Sequence, residues 1–113
     1  MFLGVEKNRS NLNNQNMNQE IINAIENYNL IEFSYNGHYR IVEPHTYGIN
    51  HKGNDMLAAY QIDGTSDKGD VPDWKQFNTD KISGLRILED NFTGTRIGYK
   101  KGDSRMDVIY AEL

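Results

Sequence analysis

The apolar pattern of this chain changes from a helical period to a two-residue alternation near residue 30, and this change constrains the fold most. The segment Ile31–Tyr35 alternates apolar and polar side chains, and Asn36-Gly37 follows it. The alternation predicts a half-buried strand. Asn-Gly favours a two-residue hairpin loop because both residues tolerate positive φ. We therefore expect a β-hairpin whose return strand covers residues 39–43, with Pro44 ending its ladder pairing.

A two-residue loop also fixes the register of this hairpin, with the pairs Tyr35–His38, Phe33–Arg40 and Ile31–Val42. Arg40 then lies on the aromatic, partly buried face. A buried cation needs an anionic partner. That partner is either a carboxylate of the protein, Glu43 or Glu32, or a bound ligand, and the sequence leaves both open.

The remaining pattern predicts a mainly β domain with one amphipathic helix. Asn18 is suited to cap a helix over residues 19–28, and the segment 8–18 holds six Asn and little to bury. We expect a flexible Asn-rich segment over residues 1–17 and a single domain over residues 18–113. Further strands are predicted at 47–49, 56–62, 74–77, 85–88 and 108–111, separated by turn-rich stretches. Many short strands and tight turns favour a small, strongly bent antiparallel barrel.

Composition excludes several classes of protein. The chain has no Cys, which excludes disulfides and thiolate metal sites. No apolar run is long enough for a membrane span and the amino terminus does not resemble a signal peptide, so we expect a cytoplasmic protein. The formal net charge is −4, which argues against a charge-driven grip on duplex DNA. The seven bases against four acids between Trp74 and Arg105 still allow a local positive surface.

The motifs of common enzymes are missing from the sequence. The three His are spaced seven and six residues apart, whereas a helical metal pair needs a spacing of four. No nucleophile elbow or phosphate-binding loop is present. We expect no enzyme activity, no metal and no cofactor.

The order of motifs between Ile31 and Leu85 resembles the WYL domain family, in its short stand-alone bacterial and phage form. The matching elements are Ile31-x-Phe33-x-Tyr35 with Arg40 and Pro44, Leu57-x-Ala59-Tyr60, and Lys75-x-Phe77 with Lys81-Ile82 and Leu85. The tripeptide that names the family is Asp55-Met56-Leu57 in this chain. The resemblance implies an SH3-like (Sm-like) barrel that acts as a regulatory, ligand-binding module.

The resemblance also implies a basic and aromatic site for a nucleotide or a short single-stranded nucleic acid. Its cations would be Arg40, Lys75 and Lys81. Tyr47 and Tyr60 would contact a base or the pocket wall, with His45 as a minor contact. Phe77 and Ile82 are expected to be structural.

Three other interpretations stay open. Arg40 pairs with a neighbouring carboxylate and the two lysines are solvated, which would leave no ligand site. The domain is instead a protein-interaction module of SH3-like type, with Trp74, Tyr39 and Tyr99 as exposed hot-spot candidates. The same site serves to sequester a nucleotide rather than to sense it. A homodimer is a further expectation, because a small open barrel has edges to cover.

Overall fold

The computed structural model describes residues 9–113, with side chains described from residue 16 onward. This part of the chain contains one helix, six strands and a single 3-10 turn at Thr79–Lys81. The elements are α1 (Arg9–Asn27), β1 (Asn29–Tyr35), β2 (His38–Asn50), β3 (Asp55–Gly64), β4 (Asp73–Asn78), β5 (Ser83–Asn91) and β6 (Met106–Glu112). The mainly β class with one amino-terminal helix is therefore confirmed.

Helix α1 covers one side of the sheet. Its buried side chains are Ile21, Ala24 and Ile25, which recur at the spacing of an amphipathic helix and pack into the core. The helix contacts β1, β2, β5 and β6. It begins at Arg9 rather than at residue 19, so it overlaps the segment for which we predicted flexibility, and residues 1–8 lie outside the described residues. No helix within residues 9–113 has the length and apolar character to span a membrane.

The six strands form one antiparallel sheet in the order β4-β3-β2-β1-β5, and β6 pairs with β2 outside this path. The 13-residue strand β2 is its centre. Residues 38–42 of β2 pair with β1, residues 46–50 pair with β6, and most of the other edge pairs with β3. Among the described strands no pairing joins β4 to β5, so the sheet stays open and a closed barrel is not confirmed.

The predicted hairpin is present in the expected register, with Phe33 opposite Arg40. Asn36 and Gly37 form its loop with φ of 53° and 76°. The prediction that Pro44 ends the ladder was wrong, because β2 continues past Pro44 and includes the residues of the strand predicted at 47–49. Pro44 lies after the last residue paired with β1 and before the first paired with β6. Its Cα partner is Ala59 of β3, next to a register shift in that ladder.

The core lies between the helix and the concave face of the sheet. Phe33 and Phe77 meet edge to face with ring centroids 4.9 Å apart, and Ile31, Val42 and Leu57 pack around them. Phe77 and Ile82 are both buried, as predicted for structural residues.

Candidate functional site

A cleft of about 1000 Å³ follows the free edge of β4. Successive residues of a strand point to opposite faces. Lys75 and Phe77 therefore face the core side of the sheet, and Trp74 and Gln76 face the other side. We call the part of the cleft on the core side of β4 the inner lobe, and the part on the other side the outer lobe. Of the residues that line the cleft, we assign Tyr35, Arg40, Ser66, Lys68, Lys75 and Phe77 to the inner lobe, and Trp74, Gln76, Gly98, Tyr99, Lys100 and Lys101 to the outer lobe.

Arg40 lies in the wall of the inner lobe and is only 4% exposed. One terminal nitrogen donates to Gln61 Oε1 at 3.1 Å, and the other donates to the Tyr35 carbonyl oxygen at 3.1 Å. The guanidinium carbon lies 5.3 Å from the centre of the Tyr35 ring and 5.4 Å from that of Phe77. The buried Nε has no hydrogen-bond partner. Arg40 is thus held by neutral groups and aromatic faces.

The two carboxylates that could have neutralised Arg40 are paired elsewhere. Glu32 accepts from Arg86 Nε at 2.8 Å, and Glu43 accepts from Arg96 at 2.7 and 2.8 Å. No described carboxylate forms a salt bridge with Arg40. Burial lowers the pKa of Arg40, which the nearby charge of Asp67 partly opposes. The sequence left two partners open for Arg40, a carboxylate of the protein or a bound ligand. In the described structure neither Glu32 nor Glu43 is that partner.

Lys75 shares the inner lobe with Arg40. Its Nζ donates to Ser66 Oγ at 3.3 Å, which ties β4 to the loop after β3. Lys68 follows in the same loop and is exposed. Lys81 is separate from these residues: it ends the 3-10 turn after β4, is exposed, and does not line the cleft. The structure therefore brings two of the three predicted cations together and leaves the third outside.

The predicted aromatic contacts do not line the inner lobe. Tyr47 is 1% exposed, packs in the core and donates to Asp55 Oδ2 at 2.7 Å. Burial and this hydrogen bond both raise its pKa. Tyr60 lies on the opposite face of β3, where Arg96 stacks 4.7 Å above its ring and Trp74 meets it edge-on at 5.6 Å. Tyr35 and Phe77 are the aromatic residues in the inner lobe, and the position of Tyr35 opposite His38 at the hairpin end was the signal that could have found it.

His45 is fully buried behind the outer lobe. Its Nε2 accepts from the Arg96 backbone N–H at 3.1 Å, so its Nδ1 carries the proton and donates to the Glu43 carbonyl oxygen at 2.8 Å. Burial lowers the pKa of the ring, which is neutral in this arrangement. Trp74, Phe92 and Tyr99 surround it with ring centroids 4.6 to 5.7 Å away. His45 thus anchors the loop that forms the outer wall rather than facing the cleft.

The pairing of Arg96 with Glu43 is the feature of this region that the sequence did not predict. The Arg96 side chain forms the paired hydrogen bonds to buried Glu43, which raise the pKa of the guanidinium. Two further bonds hold the same loop: Trp74 Nε1 donates to the Ile97 carbonyl oxygen at 2.8 Å, and Tyr99 Oη donates to the Leu113 carbonyl oxygen at 2.7 Å. The basic stretch that follows Arg96 is therefore tied to the sheet and lines the outer lobe.

The lining of the cleft carries a small excess of positive charge. Six basic and four acidic side chains line it, an excess of two positive charges in a chain whose net charge is −4. Within the described residues, no group of three or more His, Asp or Glu side chains is arranged to hold a metal ion.

Comparison with known proteins adds no assignment, since no family model, no curated protein and no solved structure matches this chain.

Proposed function

We propose that this chain is a regulatory module that binds a small phosphate-bearing ligand, a nucleotide or a short single-stranded nucleic acid, in the inner lobe without chemistry. The observation that carries the proposal is Arg40, a buried guanidinium with no carboxylate partner in the described structure and with an unpartnered Nε. Burying an unpaired charge is costly, and such charges are retained where they have a task.

The neighbours of Arg40 suit a phosphorylated ligand. A guanidinium offers paired donors that match the oxygens of a phosphate. Lys75 adds a point charge on the same lobe, and Tyr35 offers an aromatic face of the kind on which bases stack. The resemblance to the WYL family predicts the same ligand class, and the long bent strand β2, paired with three other strands, supports an open variant of its SH3-like barrel.

The test is titration of the purified chain with a panel of nucleotides and short oligonucleotides, followed by calorimetry and by the fluorescence of Trp74, the only Trp. We expect Arg40→Met to weaken binding at least about tenfold, because it removes charge-assisted hydrogen bonds. A steep dependence of affinity on salt would identify an oligonucleotide, because several phosphates are then neutralised.

Two lysines of equal charge provide a matched control. Lys75→Ala should weaken binding about three- to tenfold, whereas Lys81→Ala should leave it unchanged because Lys81 lies outside the cleft. Equal effects of the two substitutions, or no binding by the wild-type chain to any member of the panel, would refute the proposed site.

A further inference from the structure

We propose that the free edge of β4 accepts an extended acidic peptide as an added strand of the sheet. This partner goes beyond the small ligand of the proposed function, and it uses the backbone of β4 and the outer lobe in addition to Lys75. The inference depends on three features of the described structure: an edge strand with open backbone groups, a cleft along that edge, and basic side chains on both of its faces.

β4 is an edge strand of six residues, which is about 20 Å of extended chain. Its backbone shows which residues point away from β3. The N–H of Trp74 bonds to Asp73 Oδ1 at 2.7 Å, and the N–H of Asn78 bonds to Tyr35 Oη at 3.2 Å. Gln76 lies midway between these two residues. By the alternation of an antiparallel ladder, its N–H and C=O point to the same free side.

The Gln76 backbone is the open part of this edge. Trp74 and Asn78 have their N–H groups satisfied by side chains, whereas Gln76 makes no hydrogen bond to any described loop or side chain. Its side chain is exposed. A strand laid along the cleft would reach these groups, and backbone pairing of this kind is how extended peptides bind to sheet edges.

The chemistry of the partner follows from the two lobes. Side chains of an added strand would alternate between the faces of the sheet, as those of β4 do. One set would approach Lys68 and Lys75 in the inner lobe, and the other would approach Lys100 and Lys101 in the outer lobe. None of these four lysines forms a salt bridge with a described carboxylate. Acidic side chains on both faces of the peptide therefore complement the cleft.

The same charges disfavour a second copy of this chain as the occupant. Pairing of two β4 edges would bring Lys75, Lys100 and Lys101 of both copies together, and like charges across an interface are repulsive. An acidic peptide instead meets a cleft whose six basic side chains outnumber its four acidic ones.

The experiment measures the anisotropy of a fluorescein-labelled eight-residue peptide, Glu-Glu-Thr-Thr repeated twice, on titration with the full chain, because this order places Glu on both faces of an extended strand. Its control is the same peptide N-methylated at its four central residues, which keeps the charge and removes the N–H groups on both peptide edges. We expect the methylated peptide to bind at least about tenfold more weakly, because it loses several backbone hydrogen bonds. Equal binding of the two peptides would show that the chain recognises the peptide's charge and not its backbone, and would overturn the proposal.

Two pairs of variants test the protein side. Gln76→Pro removes the N–H on the free edge, and Gln76→Ala keeps it, so only the first should weaken peptide binding. The double substitution Lys100→Glu with Lys101→Glu should weaken it at least about fivefold, whereas Lys52→Glu with Lys81→Glu, the same charge change outside the cleft, should change it less than about twofold. Should Gln76→Pro fail to fold in a circular dichroism check, the methylated peptide still decides the question.

The outcome is separable from that of the proposed function. Arg40→Met should weaken nucleotide binding at least about tenfold and leave peptide binding within about twofold, because Arg40 is buried and its backbone lies outside β4. Absence of peptide binding would overturn the peptide proposal without affecting the nucleotide site. The same holds if the wild-type chain sediments as a dimer and Gln76→Pro sediments as a monomer.

Discussion

The pairing of Arg96 with Glu43 gives a prediction whose size can be worked out from the structure. The Glu43 side chain is 5% exposed, and the Arg96 side chain is 45% exposed. In the described structure, the hydrogen bonds to the Glu43 carboxylate both come from Arg96. Arg96→Met would remove them and leave a buried carboxylate without a partner, while the backbone N–H that bonds to His45 would remain.

The magnitude follows from the burial of the two partners. Removing one member of a fully buried ion pair costs about 3–5 kcal/mol. Water reaches the Arg96 side of this pair, so we reduce that cost to about 2–3 kcal/mol. Loss of the stacking on Tyr60 adds about 0.5 kcal/mol. We expect the free energy of unfolding to fall by about 3 kcal/mol, which corresponds to a Tm about 13 °C lower for a chain of this length.

Urea denaturation followed by far-ultraviolet circular dichroism measures this loss. The double substitution Glu43→Met with Arg96→Met provides the control, because replacing both partners by apolar groups removes the unpaired buried charge. The double variant should be more stable than Arg96→Met alone. A loss below about 0.5 kcal/mol for Arg96→Met, or a double variant as unstable as the sum of the two single variants, would refute this account of the pair.

Three further predictions concern pH, packing and the predicted ligand contacts. The pKa of His45 is lowered from 6.5 in the fold, so the unfolded chain takes up the proton first. The contribution of His45 to stability should be full above about pH 6.5 and fall as the pH drops toward its pKa in the folded state. His51, whose pKa is raised, should contribute with the opposite sign. Urea titrations of His45→Gln and His51→Gln from pH 5 to 8 separate the two contributions. A Cβ at Gly48 would lie 1.9 Å from a backbone oxygen of β6, whereas one at Gly94 meets nothing within 4 Å. Gly48→Ala should therefore lose at least about 2 kcal/mol in denaturation while Gly94→Ala changes little. Tyr47→Phe should lose about 1 kcal/mol of stability and leave nucleotide affinity unchanged in calorimetry, since a loss of affinity would place Tyr47 in the ligand site after all.

Local features of the fold could be predicted from the sequence. The hairpin register depends on a two-residue loop and on strict alternation, and both are written in residues 31–42. The position of Arg40 on the buried face followed from that register alone. The other four predicted strands were found because each is bounded by turn residues, and the structure extends each by one to three residues at each end.

Features that depend on distant pairing could not be predicted. Arg96 lies 53 residues from Glu43, and no local pattern selects it over Arg40 or another base as the partner. The same limit applies to Tyr47 and Lys81. Alternation says which strand face a side chain occupies, but only the packing of the whole core shows that Tyr47 is enclosed among buried side chains. The 3-10 turn likewise carries Lys81 away from the cleft.

The long strand β2 has a consequence for how the molecule is made. Its carboxyl-terminal half is complete only when β6 pairs with it, and β6 is the last strand of the described fold to leave the ribosome. Until then the hairpin and β3 can form, but one edge of β2 stays open and able to pair with another nascent chain. We therefore expect the sheet to be completed in a late step, and the high sequence separation of the β2–β6 pairing to slow that step.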